Sequence, residues 1–197
     1  MENTKKGYEL RERASERERL YIESHYYEDF TGDLEKARQV CELWAQMYPA
    51  DSIQRGSLGV VLSGLGQHDK AFAEAREAFR LNPDAHNYFN LVLSYAGMNR
   101  LEEASAIITE AQAKQLDSPD LHLASYLLAF QNNDAVGMEK QVAWAAGKPG
   151  VEGVMLSSEA STNAFFGRLK TSRDFMRRAV QSAERSDENE AAAMYEA

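Results

Sequence analysis

The chain repeats itself at a spacing of about 34 residues, the length of one helix–turn–helix unit in a stacked helical array. Pro49 and Pro83 lie one such step apart, and Ala37, Ala71 and Ala104 fall at nearly the same interval. Each alanine follows a turn-forming triplet: Thr31-Gly32-Asp33, Leu65-Gly66-Gln67 and Gly97-Met98-Asn99. A small side chain early in each second helix permits close helix approach. A hairpin of this length cannot bury its apolar side alone, so it must stack on its neighbours, and such an array usually offers a binding surface.

Five helical pairs follow from this register. The first spans about Arg19 to Tyr48, with Ala37, Cys41 and Trp44 on one face of its second helix. The second spans Ser52 to Leu81, where Leu58 and Gly59 oppose Ala71, Ala75 and Ala78. The third spans Ala85 to Leu116, with Tyr88, Leu91, Val92 and Tyr95 against Ala104, Ile108 and Ala111. The fourth spans about Asp120 to Ala146, with Leu121, Ala124, Ser125 and Leu128 facing Val142 and Trp144. The fifth spans about Val154 to Glu184, with Leu156 and Ala160 facing Met176 and Ala179 across the Gly167-Arg168 turn. Asp84, Ser118 and Asp120 read as caps or pre-helix turn residues.

The array therefore occupies residues 18–185. Residues 1–17 read as a charged helical lead-in, with Glu9 and Arg13 supporting one exposed face and Gly7 as an early break. Residues 186–197 start another helix that Asp187 can cap. That helix reads either as a cap over the last pair or, preferably, as an incomplete further repeat.

Composition removes several alternatives. The formal net charge of −9 disfavours non-specific nucleic-acid binding. No apolar run reaches the roughly 18–20 residues of a membrane span, so membrane insertion is not expected, and the charged start lacks a secretory signal core. No β-type alternation stands out, and the expected fold class is all-α. Cys41, the single cysteine, suits a reducing compartment and reads as a buried structural thiol. A cytoplasmic setting is the expectation, whether or not a parent chain is membrane-anchored. His25, His68, His86 and His122 lack metal-ligand spacing, no Gly-x-Ser-x-Gly elbow occurs, and the glycines near Gly59 follow no strand. An enzyme, a metal and a cofactor are not expected.

Leu58-Gly59, Gly66, Ala71, Ala78 and Pro83, and again Tyr88, Leu91, Tyr95 and Ala104, resemble the tetratricopeptide repeat family. The resemblance weakens toward the C-terminus, where Gly137 and Ser172 replace the usual alanine. It implies a right-handed α-solenoid that binds a protein or peptide segment, or another domain of the same parent chain, on the first helices of its pairs. Matching positions give a groove lined by Ile22, Tyr26, Ile53, Gly56, Val60, Phe89, Asn90, Leu93, His122, Tyr126, Ser157 and Ser161. This lining is aromatic and aliphatic with few charges. Tyr26, Phe89 and Tyr126 are the expected anchors, and carboxylate clamping is not expected. Self-association through exposed ends of the array is the competing expectation. The stretch Tyr8 to Arg17, with Tyr21 to Tyr27 and Gly32 to Ala37, further resembles repeat regions that follow the kinase domain in bacterial eukaryotic-like serine/threonine kinases. That resemblance implies a sensor or scaffold segment. Kinase machinery is absent from this sequence, and Arg173-Asp174-Phe175 lacks every companion motif.

Overall fold

A computed structural model of the chain describes residues 2–196. Met1 and Ala197, the outermost residues of the expected lead-in and tail, lie outside the described residues. Contacts divide the chain into two compact units, Met1–Leu116 and Asp117–Ala197. Among the described residues every regular element is helical.

The first unit contains α1 (Glu2–Glu9), α2 (Glu16–His25), α3 (Leu34–Met47), α4 (Ser52–Gly64), α5 (His68–Leu81), α6 (Ala85–Gly97) and α7 (Leu101–Ala113). Helices α2 to α7 form three consecutive antiparallel hairpins. Ala37, Ala71 and Ala104 are all buried at the joints, as the periodic spacing predicts. Helices α4 and α5 approach closely at Gly59, where a β-carbon would stand 3.3 Å from the Ala71 carbonyl oxygen. A larger side chain there would have to push two backbones apart.

The lead-in differs from the sequence expectation. Gly7 lies inside α1, and the chain breaks at Leu10–Ser15 instead. Glu9 and Arg13 therefore share no helical face. The physical reason is a capping box that restarts the helix. The Ser15 hydroxyl accepts from the Glu18 amide, and the Ser15 amide donates to the Glu18 carboxylate at 2.9 Å. After α2 the chain widens into one π-helical stretch, Tyr26–Thr31, before Gly32 takes a left-handed conformation.

Asp51 locks this first part together. Its carboxylate accepts from Arg17 Nε at 2.6 Å, Arg17 Nη2 at 3.1 Å, Trp44 Nε1 at 3.1 Å and the Ile53 amide at 3.1 Å. One residue thus caps α4 and ties it to α2 and α3. Trp44 is fully buried beside it.

The second unit contains α8 (Pro119–Gln131), α9 (Ala135–Ala145), α10 (Glu152–Phe165), α11 (Leu169–Arg185) and α12 (Asn189–Glu196). Helix α8 opens on a Ser118 cap with Pro119 at its first turn. Ala160 and Ala179 are fully buried between α10 and α11. Helix α12 packs on this pair: Ala192 is buried, and the Tyr195 ring approaches the position a Gly153 β-carbon would take, at 3.3 Å. Asp187 does not cap α12. It adopts a left-handed φ of 57° and terminates α11, with the Glu188 amide donating back to the Ala183 carbonyl.

The same stop recurs through both units. A left-handed residue follows the helix, and the next amide donates back to a carbonyl five positions earlier: Gln67 to Leu62, Arg100 to Tyr95, Asp134 to Ala129 and Arg168 to Asn163. Gly66 and Gly167 hold that conformation at φ 73° and 72°, where a β-carbon would be strained. Gly137, in the alanine position of α9, has its own reason. A β-carbon there would overlap the Asp134 carboxylate, which caps the helix by accepting from the Gly137 amide.

Candidate binding site

Helices α4 and α6 are the first helices of adjacent hairpins, and residues of both border one space. Gly56, Gly59, Val60, Ser63 and Gly64 recur at helical spacing on α4. Asn90, Leu93, Ser94 and Gly97 do so on α6. Between them opens a cavity of about 350 Å³, floored by Ala71 and Ala75 of α5 and bordered by His68. The lining carries no acidic residue, lysine or arginine.

Asn90 is the polar centre of this cavity. It is only 8% exposed, yet its Nδ2 has no hydrogen-bond partner. A β-carbon at Gly56 would lie 3.4 Å from that nitrogen, so the glycine leaves the amide uncovered. A buried amide donor without an acceptor is costly, and an oxygen placed in the cavity would satisfy it. Nearby Asn87 is already occupied: its amide hydrogen goes to Asp84 and its Nδ2 to the Asn82 carbonyl.

The sequence-derived lining is only partly assembled. Val60, Asn90 and Leu93 meet around this cavity, with Gly56. Val60 is 45% exposed and Leu93 half-buried. Ile53, 49% exposed, borders a second, more polar cavity of about 370 Å³ with Tyr21, His25, Asp84 and His86. Ile22 and Phe89 are half-buried on α2 and α6. Tyr26 is not an open platform. Its ring stacks with Tyr8, with centroids 3.7 Å apart, and with Phe30, at 5.2 Å. The Tyr8 and Tyr27 hydroxyls also meet at 3.1 Å, so α1 is fastened over this position.

In the second unit, His122 is half-buried, with both ring nitrogens and one ring face engaged. Nε2 pairs with Asp117 Oδ1 at 2.8 Å, Nδ1 pairs with Gln141 Oε1 at 2.6 Å, and the ring stacks on Trp144. Tyr126 corrects the sequence reading outright. It is 0% exposed, and its hydroxyl donates to Thr162 Oγ1 at 2.8 Å. Burial pushes its phenol well above the usual tyrosine range. An enclosed ring cannot anchor a partner. Ser157 is half-buried, and the exposed Ser161 hydroxyl donates to the Ser157 carbonyl.

Cys41 is fully buried, and desolvation raises its thiol to about 12. It is inert at neutral pH. Among the described residues, no three His, Cys, Asp or Glu side chains gather as a metal site. No helix among them is long and apolar enough to cross a membrane.

The profile of the tetratricopeptide repeat matches residues 56–84, from Gly56 on α4 through α5. No curated protein matches the chain by sequence. Solved structures carry the fold over most of its length. A thermophilic tetratricopeptide repeat protein of Thermus thermophilus is similar, with a TM-score of 0.67, 18% identity, and coverage of 89% of this chain and 94% of its own. PilF of Pseudomonas aeruginosa is similar with a TM-score of 0.60, 17% identity, and coverage of 94% and 90%. The APC/C hetero-tetramer Cut9-Hcn1 contains a similar chain, with a TM-score of 0.61 and 14% identity over 89% of this chain and 38% of that one. The fold is thus an all-α array of the tetratricopeptide type.

Proposed function

We propose that this protein is a non-catalytic interaction module that grips an extended, uncharged peptide segment between α4 and α6. The observation that supports this reading is the unpartnered Asn90 amide inside a neutral cavity of small residues. A main-chain carbonyl of the peptide accepts from Asn90 Nδ2, and small apolar side chains rest against Val60 and Leu93. Gly56, which presents no β-carbon, leaves the Asn90 amide within reach of that carbonyl.

The test selects binders from a random peptide library and measures them by calorimetry. Asn90→Leu is expected to weaken binding by roughly ten-fold or more, the value of one hydrogen bond to a buried donor. Val60→Arg is expected to weaken it as well. Binders indifferent to both substitutions would remove the cavity from the reading. Phe89, half-buried on the same helix, remains a flanking anchor in this proposal.

We also propose a parent chain of the bacterial serine/threonine kinase type. It rests on residues 8–37 alone, and a kinase domain encoded upstream in the reading frame is its check. A reducing cytoplasmic setting suits the buried Cys41 thiol. Self-association has one observation in its favour, the exposed Met194 on α12. Concentration-dependent sedimentation, abolished by Met194→Lys, would favour it over the peptide reading.

A further inference from the structure

Four hairpin turns occupy one register in the sequence. At the position that closes the first helix of each stand Gly64, Gly97, Gln131 and Phe165, and the next residues are Leu65, Met98, Asn132 and Phe166. The turn itself needs only the left-handed residue that follows, such as Gly66 or Gly167. Nothing in the repeat geometry calls for an aromatic pair. Yet Phe165 is 74% exposed and Phe166 45% exposed, with Leu169 exposed beside them. The two rings meet edge to face at 5.3 Å, and Phe130 supports them from α8 at 5.3 and 6.0 Å. Adjacent exposed aromatics gathered in one cluster mark a contact surface rather than a packing remnant.

The surrounding charge is opposite to that of the chain. Residues 168–178 contribute Arg168, Lys170, Arg173, Arg177 and Arg178 against a single acid, Asp174, in a chain of net charge −9. Asp174 is itself paired with Arg177 at 3.2 Å. The neighbouring α8–α9 turn adds Asp134, which is engaged in capping α9. Leu169, Arg173 and Arg177 fall on one stripe of α11, so the cations begin at the aromatic tip and continue about 12 Å along the helix. The Arg168 guanidinium lies over the Phe166 ring at 5.2 Å.

We infer that the Phe165-Phe166 turn and the basic start of α11 form a peripheral docking surface for an anionic lipid bilayer. A protruding aromatic pair suits a fluid interface, which closes around it, whereas a peptide needs a concave seat. The phenylalanines enter the region between headgroups and acyl chains, and Arg168, Lys170 and Arg173 meet the headgroup phosphates. The contact is interfacial and involves no spanning helix. It is independent of the α4–α6 cavity.

The full chain is tested by co-sedimentation with phosphatidylcholine vesicles, with and without one third phosphatidylglycerol. Partition onto the anionic vesicles only is expected, weakening as salt rises. Phe165→Ser with Phe166→Ser is expected to lower the partition about ten-fold, and Arg168→Glu with Arg173→Glu by at least as much. All four positions are exposed, so circular dichroism and melting should be unchanged. Absence of wild-type partition, equal partition onto neutral vesicles, or variants that partition like the wild type would each overturn the inference. Capture of a poly-glutamate peptide without vesicle binding would assign the patch to acidic protein and overturn it too.

Discussion

The second hairpin, α4–α5, and the fifth, α10–α11, are the same device carrying different surfaces. Ala78 and Ala179 occupy matching positions and are both fully buried. Gly66 and Gly167 make matching left-handed turns at φ 73° and 72°. The left-handed turn and the buried Ala78/Ala179 joint are retained, while Ala71 gives way to Ser172 and several other positions diverge. Gly64, whose absent β-carbon leaves room for the Leu34 side chain at 3.1 Å, corresponds to the exposed Phe165. Gly56 and Val60, which border a neutral cavity, correspond to Ser157 and Ser161. Retained joints and divergent surface thus fall at largely separate positions of one period. A residue's role follows from whether its register position is structurally constrained.

The largest expected effect tests the shared part. Ala78→Leu and Ala179→Leu should each cost roughly 1–3 kcal/mol, since both overfill a closed joint. Urea unfolding of the two variants measures this. A substantial loss in one hairpin with none in the other would break the equivalence. Gly66→Val and Gly167→Val come next, at roughly 1–2 kcal/mol each, because a branched side chain is forced into left-handed backbone. The natural occupants Asn99 and Asn133 take the same conformation in the third and fourth hairpins. Gly→Asn should therefore recover much of the loss at both positions, read as a midpoint shift.

This division also explains what could be read from the sequence. Helix ends were legible because each carries a local chemical signal: Gly66, Gly167, and aspartates such as Asp84 that cap the next helix. Gly7 misled because a glycine can remain in a short helix when a capping box places the break elsewhere. Tyr126 misled for another reason. Helix α8 has Leu121, Leu123, Tyr126, Leu127, Leu128 and Phe130 spread around its circumference, so periodicity does not separate an inward ring from an outward one. Asp51 was hidden because its partners Arg17 and Trp44 come from two different helices and obey no short spacing. The Asn90 cavity had a signal, two opposed small-residue faces at three- and four-residue spacing, but the free amide becomes visible only once Gly56 is seen against it. Phe165 and Phe166 become conspicuous when the four turns are placed in register.

Alkaline pH gives a smaller effect that probes the neighbours of both hairpins. Cys41, whose carbonyl accepts from Gln54 Nε2 on α4, has its thiol raised from 9.0 to about 12 by burial. Tyr126, bonded to Thr162 on α10, is raised from 10.0 by the same cause. Both folded values exceed the unfolded ones, so the folded state retains protons that the unfolded chain releases. The contribution is complete below pH 9, and stability declines as pH rises from there toward 12. Between the unfolded and folded values the slope approaches about 1.4 kcal/mol per pH unit for each buried group. Cys41→Ala should flatten the fall that begins near pH 9, and Tyr126→Phe the fall that begins near pH 10. A rise in stability over that interval would contradict the burial of both groups.

The smallest stability effect is expected at the most conspicuous residues. Phe165→Ser and Phe166→Ser should leave the melting temperature nearly unchanged, within about 0.5 kcal/mol, because neither ring closes a joint. The mutual contacts of Phe130, Phe165 and Phe166 are those of an exposed cluster, and the α10–α11 pairing depends on Ala160 and Ala179 instead. Gly64→Phe, the reciprocal change in the second hairpin, should destabilise measurably because it meets Leu34. Differential scanning calorimetry of the three variants compares them directly. If Phe165→Ser destabilises as much as Gly64→Phe, the aromatic turn is part of the joint after all, and its exposure carries no functional meaning.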